Sequence, residues 1–416
     1  MALAQADLLR LATAGSVDHG KSTLIGRLLL DAKQVLTDQI EHIEEASKRR
    51  GGAGVVDLSL LVDGLRAERE QGITIDVAYR YFATARRTFI IADTPGHVQY
   101  TRNMVTGAST ADLSVILVDA RKGVLEQSKR HAYISALLGI PHLVVAVNKM
   151  DLVDYDEDSF DTIVRDFADF ARGLGARDIV YIPISAKLGD NVVDRSENMP
   201  WYAGAPLLEH LETVKVDDDR NLARARFPVQ WVIRDHDSDY RGYAGQIAGG
   251  VLRTGDEVLV LPSRKRARIA RIDTFDGPLD EACAGMSVTL LLTEEIDISR
   301  GDIICHPDDA PQLARELEAT VCWMTEAPLR AGARYAIKHA THAARVVVDD
   351  VVDRVDVHTL APDGAADALA LNDIGRVRLR TSKPMAFDAY ADNRATGAFI
   401  LIDETTNDTV GAGMIC

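Results

Sequence analysis

The sequence predicts an α/β domain with a mostly parallel sheet, followed by two small β-barrel domains. Up to about residue 213, apolar strand-like runs alternate with helical stretches, which is the order expected for a parallel sheet covered by helices. The runs at 113–119 and 142–147 are continuously apolar or β-branched, as in strands buried on both faces. Beyond residue 226 the apolar pattern changes to a period of two, in short segments separated by turn residues, which is typical of barrels.

The same patterns divide the chain into three domains. We place the first at 1–215, the second at 222–309 and the third at 312–416, because a charged linker and a loop near 306–310 separate them. In the first domain, strands are predicted at 8–14, 88–92, 113–119, 142–147 and 179–184, and helices at 21–30 and 58–70. In the barrels, strands are predicted at 229–233, 258–261, 267–272, 287–292, 319–324, 334–339, 345–352, 376–381 and 398–403.

The composition excludes several classes of protein. A chain of 416 residues is too long for one core, and its 47% apolar and 26% charged residues are ordinary for a globular protein. Its net charge of −16 opposes non-specific binding to nucleic acid. The four cysteines form no C-x-x-C pair, which argues against a disulfide framework and a zinc site, and no apolar run is long enough to cross a membrane. We therefore expect a cytoplasmic protein.

A glycine-rich loop joins the first predicted strand to the first predicted helix. It reads Gly15-Ser16-Val17-Asp18-His19-Gly20-Lys21-Ser22, with Thr23 next. Gly15 and Gly20 allow the backbone to curl, so that successive N–H groups and the helix dipole face bound phosphates. Lys21 is expected to reach the β- and γ-phosphates, and the Ser22 hydroxyl to ligate Mg²⁺.

A second motif, Asp93-Thr94-Pro95-Gly96-His97, follows another predicted strand. The Asp93 carboxylate is expected to hold the Mg²⁺ shell, the Gly96 N–H to contact the γ-phosphate, and His97 to orient the attacking water. Phosphoryl transfer depends mainly on positioning and charge stabilisation, so one well-placed polar side chain matters. Thr74 is the remaining Mg²⁺ ligand, on a loop that binds the ion only when the γ-phosphate is present. We predict Lys21, Thr74 and His97 as catalytic residues.

Two further motifs read the base. Asn148-Lys149-Met150-Asp151 follows a buried strand, and the Asp151 carboxylate complements the N1–H and 2-amino donors of guanine. Adenine would leave this carboxylate unpaired, and an unpaired buried polar group costs about 1–3 kcal/mol. Ser185-Ala186-Lys187 follows the last strand of the domain and is expected to complete the pocket, with the Ala186 N–H donating to the guanine oxygen. Together the motifs predict a protein that binds GTP with Mg²⁺ and hydrolyses the GTP.

With these motifs, the chain resembles the elongation factor Tu-like translational GTPases. Within that group it is most similar to the GTPase (large) subunit of bacterial sulfate adenylyltransferase, over essentially its whole length. The most specific stretches are 63–82, 91–97, 100–110, 119–124, 227–230, 241–245, 295–302 and 410–414. Two departures stand out: Ser16 replaces a histidine usual in translation factors, and a single P-loop leaves no second, adenylylsulfate kinase domain in these residues.

The resemblance implies a partner and a coupled reaction. In this family a small catalytic subunit binds ATP and sulfate and makes adenylyl sulfate and diphosphate, and GTP hydrolysis on the large subunit drives that unfavourable adenylation. We therefore expect a hetero-oligomer with this small subunit and no nucleic-acid or membrane partner. The resemblance also implies that Val17 and Ile73 form an apolar gate beside His97.

One alternative is an elongation factor Tu-like translation GTPase that binds aminoacyl-tRNA, and another is a regulatory switch without an enzyme partner. The stretches 68–82 and 100–110 favour the sulfate family. A basic segment at 264–268, with Arg271, could contact RNA, but it has no interleaved aromatic residues and is better explained as a solvated barrel face. His339 and His342 have no acidic or cysteine cluster beside them, so we interpret them as structural.

Overall fold

The computed structural model describes residues 8–32, 58–61, 76–97, 100–174, 176–216, 221–235, 240–356, 361–364 and 366–416. The chain divides into two compact units, and the boundary between them falls after Val216. The first unit holds the α/β domain and the second holds both barrels. The domain limits at 215, 222, 309 and 312 stay predictions.

The first unit is built on a six-stranded sheet. Its strands are β1 (Leu8–Gly15), β2 (Ala78–Ala83), β3 (Thr88–Asp93), β4 (Leu113–Asp119), β5 (His142–Asn148) and β6 (Asp178–Pro183). Its helices are α1 (Lys21–Asp31), α2 (Thr101–Ala108), α3 (Glu126–Leu137), α4 (Glu157–Ala171) and α5 (Leu207–Thr213), with short 3₁₀ helices at Leu58–Leu61 and Met150–Leu152. The strand order is β2-β3-β1-β4-β5-β6, and only the β2–β3 pair is antiparallel.

Burial explains why these segments form a central sheet. Every residue of β4 and β5 is buried, which matches their continuous apolar runs. Helix α1 buries Leu24, Ile25 and Leu28 in the same core. Because β1, β3, β4, β5 and β6 are parallel, the loops that follow them leave from one edge of the sheet. Open α/β sheets bind ligands at that carboxyl edge.

The first barrel has nine short strands. They are β7 (Arg226–Arg234), β8 (Arg241–Gln246), β9 (Val251–Arg253), β10 (Glu257–Leu261), β11 (Lys265–Thr274), β12 (Gly277–Leu279), β13 (Glu281–Cys283), β14 (Ser287–Leu292) and β15 (Ile303–Cys305), with a 3₁₀ helix at Pro307–Asp309. Six of them close a ring in the order β10-β15-β7-β8-β14-β11, because β11 pairs back with β10. Alternate residues such as Phe227, Tyr243 and Leu290 fill its interior.

The second barrel repeats this closure with longer strands. They are β16 (Gln312–Trp323), β17 (Leu329–Arg330), β18 (Arg334–His339), β19 (His342–Asp356), β20 (Ala361–Pro362), β21 (Ala368–Leu369), β22 (Ile374–Phe387), β23 (Ala398–Ile402) and β24 (Thr409–Ile415), with the short helix α6 (Arg394–Gly397). The ring runs β18-β23-β24-β16-β22-β19 and closes through β18–β19. Trp323, Leu379 and Phe399 lie in its core.

A buried ion pair joins the two barrels. Arg226, 1% exposed, donates from Nε and Nη2 to the two carboxylate oxygens of Asp388, both at 2.8 Å. Its Nη1 donates to the carbonyl oxygens of Ala225 and Asp309, and the Thr396 hydroxyl donates to Asp388. Every polar atom of this contact therefore has a partner, which a buried charge requires.

The predicted fold class is confirmed, and the predicted strands match observed ones. Among the described residues, ten observed strands were not predicted: β2, β8, β9, β12, β13, β15, β17, β20, β21 and β24. Seven of these are only two or three residues long, too short to show a period, and β8 and β24 are rich in small residues. Of the helix predicted at 58–70, Leu58–Leu61 is a 3₁₀ helix and the remainder lies outside the described residues. Within the described part of the chain, no helix is both long and apolar enough to span a membrane.

Three barrel residues for which the sequence left a functional alternative, Arg266, Arg271 and His339, make structural contacts. In the basic segment, Arg266 pairs with Glu257, and Arg271 pairs with Asp273. The buried His339 ring bonds to the Thr396 carbonyl oxygen through Nε2 at 2.8 Å. These contacts agree with a solvated barrel face and a structural histidine.

Candidate functional site

The four sequence motifs converge on the carboxyl edge of the parallel sheet. The glycine-rich loop follows β1, the Asp93 motif ends β3, and the Asn148 motif ends β5. The Ser185 segment comes two residues after β6. Since β3 and β4 flank β1, and β5 lies between β4 and β6, all four loops lie along one edge.

The glycine-rich loop has the curled backbone that its composition predicts. Gly15 has a φ of +147° and Gly20 a φ of +93°, backbone angles that residues with a side chain rarely adopt. Gly20 also caps the start of α1, and a Cβ there would lie 2.5 Å from Nδ2 of Asn148. The glycine is therefore needed for conformation and also for space.

Lys21 lies under this loop and is almost fully buried. Its Nζ donates to the carbonyl oxygens of Gly15 at 2.9 Å and Ser16 at 3.1 Å. Burial lowers the pKa of Lys21 to about 8, although the charges of Asp93 and Asp18 oppose the shift. Backbone oxygens surround the ammonium group, but burial removes the water that would otherwise stabilise its charge. A bound phosphate would supply the negative charge that favours the protonated form.

The Asp93 motif packs directly against the loop. A Cβ on Gly96 would lie 2.6 Å from Nζ of Lys21 and 2.6 Å from the Gly15 carbonyl oxygen, so only glycine fits. The buried Asp93 accepts a hydrogen bond from the Thr13 hydroxyl at 3.2 Å. The Thr94 hydroxyl in turn donates to the Thr13 carbonyl oxygen at 2.6 Å. Strand β1 thus fixes the acidic group beside the lysine.

His97 lies half-buried at the end of this motif. Its Nδ1 is buried and has no hydrogen-bond partner among the described residues. The ring lies edge-on to Tyr100, with 6.3 Å between ring centroids. Thr74 and Ile73, predicted as a Mg²⁺ ligand and as part of the apolar gate, lie outside the described residues. The described half of that gate, Val17, is partly buried.

Asn148 ties the phosphate loop to the base loop. Its Nδ2 donates to the His19 carbonyl oxygen at 2.8 Å, and its Oδ1 accepts from the Ala186 N–H at 2.9 Å. Only 2% of the residue is exposed. The Ala186 N–H is therefore already engaged, so its predicted bond to a guanine oxygen stays a prediction that requires this N–H to be shared or released.

The remaining base-loop residues hold the Asp151 carboxylate. The Ser185 hydroxyl donates to Asp151 Oδ1 at 2.7 Å and accepts from the Leu188 N–H at 3.2 Å. Met150 is fully buried beneath this turn, whereas Lys187 is exposed. One oxygen of Asp151 is fixed by the protein, which sets the direction in which the carboxylate can meet a base.

Asp119, the last residue of β4, was not predicted as part of the site. Its Oδ2 lies 2.9 Å from Nζ of Lys149, which also contacts the Asp18 carbonyl oxygen. Arg121 binds both oxygens of the same carboxylate, at 3.0 and 2.7 Å. Although burial by itself would raise it, the pKa of Asp119 is held far below its usual range by these two cations. The sequence did offer one sign of this role, because an acidic residue at the end of a wholly buried strand is unusual unless it has a charged partner.

Arg27 on α1 was also missed. Its Nε donates to the Ala186 carbonyl oxygen at 3.2 Å, and its Nη2 donates to the Lys187 carbonyl oxygen. Asp31, one helical turn later, lies 3.4 Å from Nη1. The helix that begins at the phosphate loop therefore also anchors the base loop, and nothing in the sequence pattern marked this role.

The residues present fit a magnesium ion. The Ser22 hydroxyl and the Asp93 carboxylate are oxygen donors of the kind that Mg²⁺ prefers. No group of three or more His, Cys, Asp or Glu side chains in the described ranges could hold a metal ion. Mg²⁺ commonly takes one or two protein oxygens together with substrate phosphates and water.

The second unit has a groove that is lined by residues of both barrels. It has a volume of about 1080 Å³ and a floor of small residues such as Ala244 and Gly245, with the fully exposed Phe275 on its rim. In it, Arg271 pairs with Asp273, which also accepts from the Tyr240 hydroxyl, whereas the buried Thr341 hydroxyl has no hydrogen-bond partner in the part of the chain that the structure describes. No residue of the four motifs lines this groove, so we keep the candidate site at the motifs.

Comparison with known proteins gives the same domain order. The sequence matches the Elongation factor Tu GTP binding domain family over residues 6–217 and Elongation factor Tu domain 2 over 244–305. Residues 316–416 match the GTP-eEF1A C-terminal domain-like family.

Three curated relatives are similar over nearly the whole chain. The "Bifunctional enzyme CysN/CysC" of Mycobacterium tuberculosis strain H37Rv is 57% identical over 412 residues, which cover 98% of this chain and 67% of that protein. "Sulfate adenylyltransferase subunit 1" of Bacteroides fragilis is 54% identical, covering 99% and 86%. The protein of the same name from Aliarcobacter butzleri is 55% identical, covering 98% and 87%.

Proposed function

Because this chain belongs to the sulfate adenylyltransferase subunit 1 family of elongation factor Tu-like GTPases, we propose that it hydrolyses GTP to drive the adenylation of sulfate. The driven reaction converts ATP and sulfate into adenylyl sulfate and diphosphate on a partner subunit. The family predicted from the sequence is thereby confirmed. Relatives with 53–57% identity carry sulfate adenylyltransferase or CysN names, whereas the likeness to a translation factor extends only to the broader family.

One observation carries the nucleotide part of this proposal. Gly96 packs against Nζ of Lys21, while Asn148 bonds to the phosphate loop on one side and the base loop on the other. Phosphate, catalytic and base motifs far apart in sequence thus form one continuous site, which is the arrangement that a guanine nucleotide spans.

We propose for Lys21, His97 and Asp151 the roles that the sequence predicts. Lys21 binds the β- and γ-phosphates, and its buried, desolvated ammonium favours a strong interaction with an anion. His97 orients the attacking water, which suits a half-buried imidazole whose Nδ1 has no hydrogen-bond partner in the described part of the chain. Asp151 reads guanine, and the Ser185 hydroxyl holds its carboxylate in place.

Ser22, Asp93 and Thr74 would hold Mg²⁺. When bound, the ion neutralises charge that develops on the phosphates during transfer. Strand β1 prepares one ligand, because the Thr13 hydroxyl already fixes one oxygen of Asp93.

We further propose that the partner is the small, ATP- and sulfate-binding subunit of sulfate adenylyltransferase, in a cytoplasmic hetero-oligomer. The relatives named "subunit 1" support the existence of a second subunit. All four cysteines are free thiols, which suits a reducing compartment.

The test is a coupled assay on the complex with the candidate small subunit. Diphosphate release from ATP and sulfate is measured with and without GTP, for the wild type, for Lys21→Ala and for the exposed barrel control Lys265→Ala. We expect release to depend on GTP, to disappear in Lys21→Ala and to persist in Lys265→Ala. Release that is independent of GTP would contradict the coupling and reopen the translation alternative.

A further inference from the structure

We propose that Gln127, on the first turn of α3, is a positioning residue for hydrolysis that sets the orientation of the peptide between Gly96 and His97. The proposal rests on the GTPase activity argued above and deepens it. Gln127 belongs to none of the sequence motifs, and it reaches the site only because α3 packs beside β1 and β4.

The contact itself is a single hydrogen bond to the catalytic loop. Nε2 of Gln127 donates to the Gly96 carbonyl oxygen at 3.2 Å. A carbonyl oxygen only accepts, so the amide must present its nitrogen here, and the rotamer is defined by chemistry. The bonded carbonyl belongs to the peptide whose N–H is that of His97. The bond therefore orients the peptide plane that precedes the His97 Cα, and with it the position of the His97 side chain.

His131, one turn later on α3, holds the other side of the same amide. Its Nε2 lies 2.9 Å from Nε2 of Gln127. Because an amide nitrogen only donates, His131 accepts through Nε2 and carries its proton on Nδ1, which is buried and has no hydrogen-bond partner within the described ranges. The ring is 2% exposed, so its neutral form is favoured by burial. The two contacts leave Gln127 little freedom to turn away from Gly96.

The surroundings make this a rigid support. Burial, together with the positive charges of Lys21 and Arg130, lowers the pKa of His131 to about 3, so the ring is neutral. The His19 ring is itself fully buried and bonds through Nδ1 to the Leu117 carbonyl oxygen at 3.0 Å. Gln127 therefore rests on a buried, neutral ring of its own helix. Holding the peptide between Gly96 and His97 in this way limits misplacement of His97, and small errors of position are costly in rate.

A purely structural role for Gln127 makes a different prediction. If the amide only filled space beside the loop, its replacement would lower the stability of the protein or weaken nucleotide binding, and the rate of the bound complex would be unchanged. A positioning role predicts the reverse, with slow turnover and intact binding. The separation of kcat from KM therefore discriminates between the two roles.

The experiment replaces Gln127 by two residues of similar size that cannot donate to Gly96. Gln127→Glu places an acceptor against the carbonyl oxygen, and Gln127→Met removes the polar atoms without adding charge. GTP hydrolysis by the complex with the partner subunit is followed under multiple turnover, and GTP affinity is measured by equilibrium binding. Lys122→Gln, an exposed change just before α3, is the matched control.

We expect kcat to fall about tenfold in both variants, the effect of losing about one hydrogen bond's free energy in the transition state. We expect KM and the GTP dissociation constant to stay within about twofold, with Lys122→Gln like the wild type. Unchanged or faster turnover, or weaker binding at unchanged kcat, would overturn the positioning role. A wild type without GTP hydrolysis would instead refute the proposed function itself.

Discussion

Replacing Asn148 by aspartate removes one half of the link between the phosphate loop and the base loop. The acceptor for the Ala186 N–H survives, but an oxygen now faces the His19 carbonyl oxygen where Nδ2 donates at 2.8 Å. Leaving this buried carbonyl without its donor costs about 1–3 kcal/mol, and more because the group now facing it is a carboxylate. At 2% exposure, water cannot replace the missing donor. We expect Asn148→Asp to cost about 2–4 kcal/mol in total.

This cost is divided between folding and binding, because the link exists before any nucleotide arrives. The informative quantity is therefore the free energy of unfolding of the first unit at saturating GDP, which includes both parts. The dissociation constant for a fluorescent GDP analogue shows how much of the loss appears in affinity, with about tenfold for each 1.4 kcal/mol. Asn407→Asp, an exposed turn position in the second barrel, is the control. Unfolding and binding within about 0.5 kcal/mol of the wild type would refute this account of Asn148.

Four other predictions follow from the same geometry. His97→Ala should slow GTP hydrolysis at least tenfold with nearly unchanged GTP affinity, since the side chain acts on water; weak binding with normal turnover would contradict this role. Asp151→Asn should shift the preference measured by competition from guanine towards xanthine nucleotides; an unchanged preference for guanine would show that Asp151 does not read the base. Arg27→Met should release GDP about tenfold faster in a stopped-flow assay, since two base-loop carbonyls lose a charged donor. Arg226→Met should destabilise the barrels by about 3–5 kcal/mol in denaturant unfolding, whereas Arg226→Met with Asp388→Leu should recover most of that loss; equal losses would refute the buried-charge explanation.

The buried strands and the nucleotide-binding motifs could be predicted from the amino-acid sequence. The continuous apolar runs of β4 and β5 predict strands buried on both faces, because hydrophobic burial acts on short segments and leaves a periodic signature. The motif glycines were equally clear, since the φ of Gly20 is a local property that the chain must encode locally. Strands β8 and β24 escaped prediction because their glycines and alanines leave few apolar residues to show a period of two.

The side chains that support the motifs could not be predicted from the sequence. Arg27 meets a loop 159 positions later in the chain, and Gln127 meets Gly96 across 31 positions. Asp119 meets Lys149 because β4 and β5 are neighbours in register. Such contacts depend on which elements pack together, and a hydrogen bond between distant residues leaves no periodic trace in composition or spacing. The sequence motifs therefore determine the chemistry of the site. Its rigidity depends on side chains that only the packing of the tertiary structure brings into contact with the motifs.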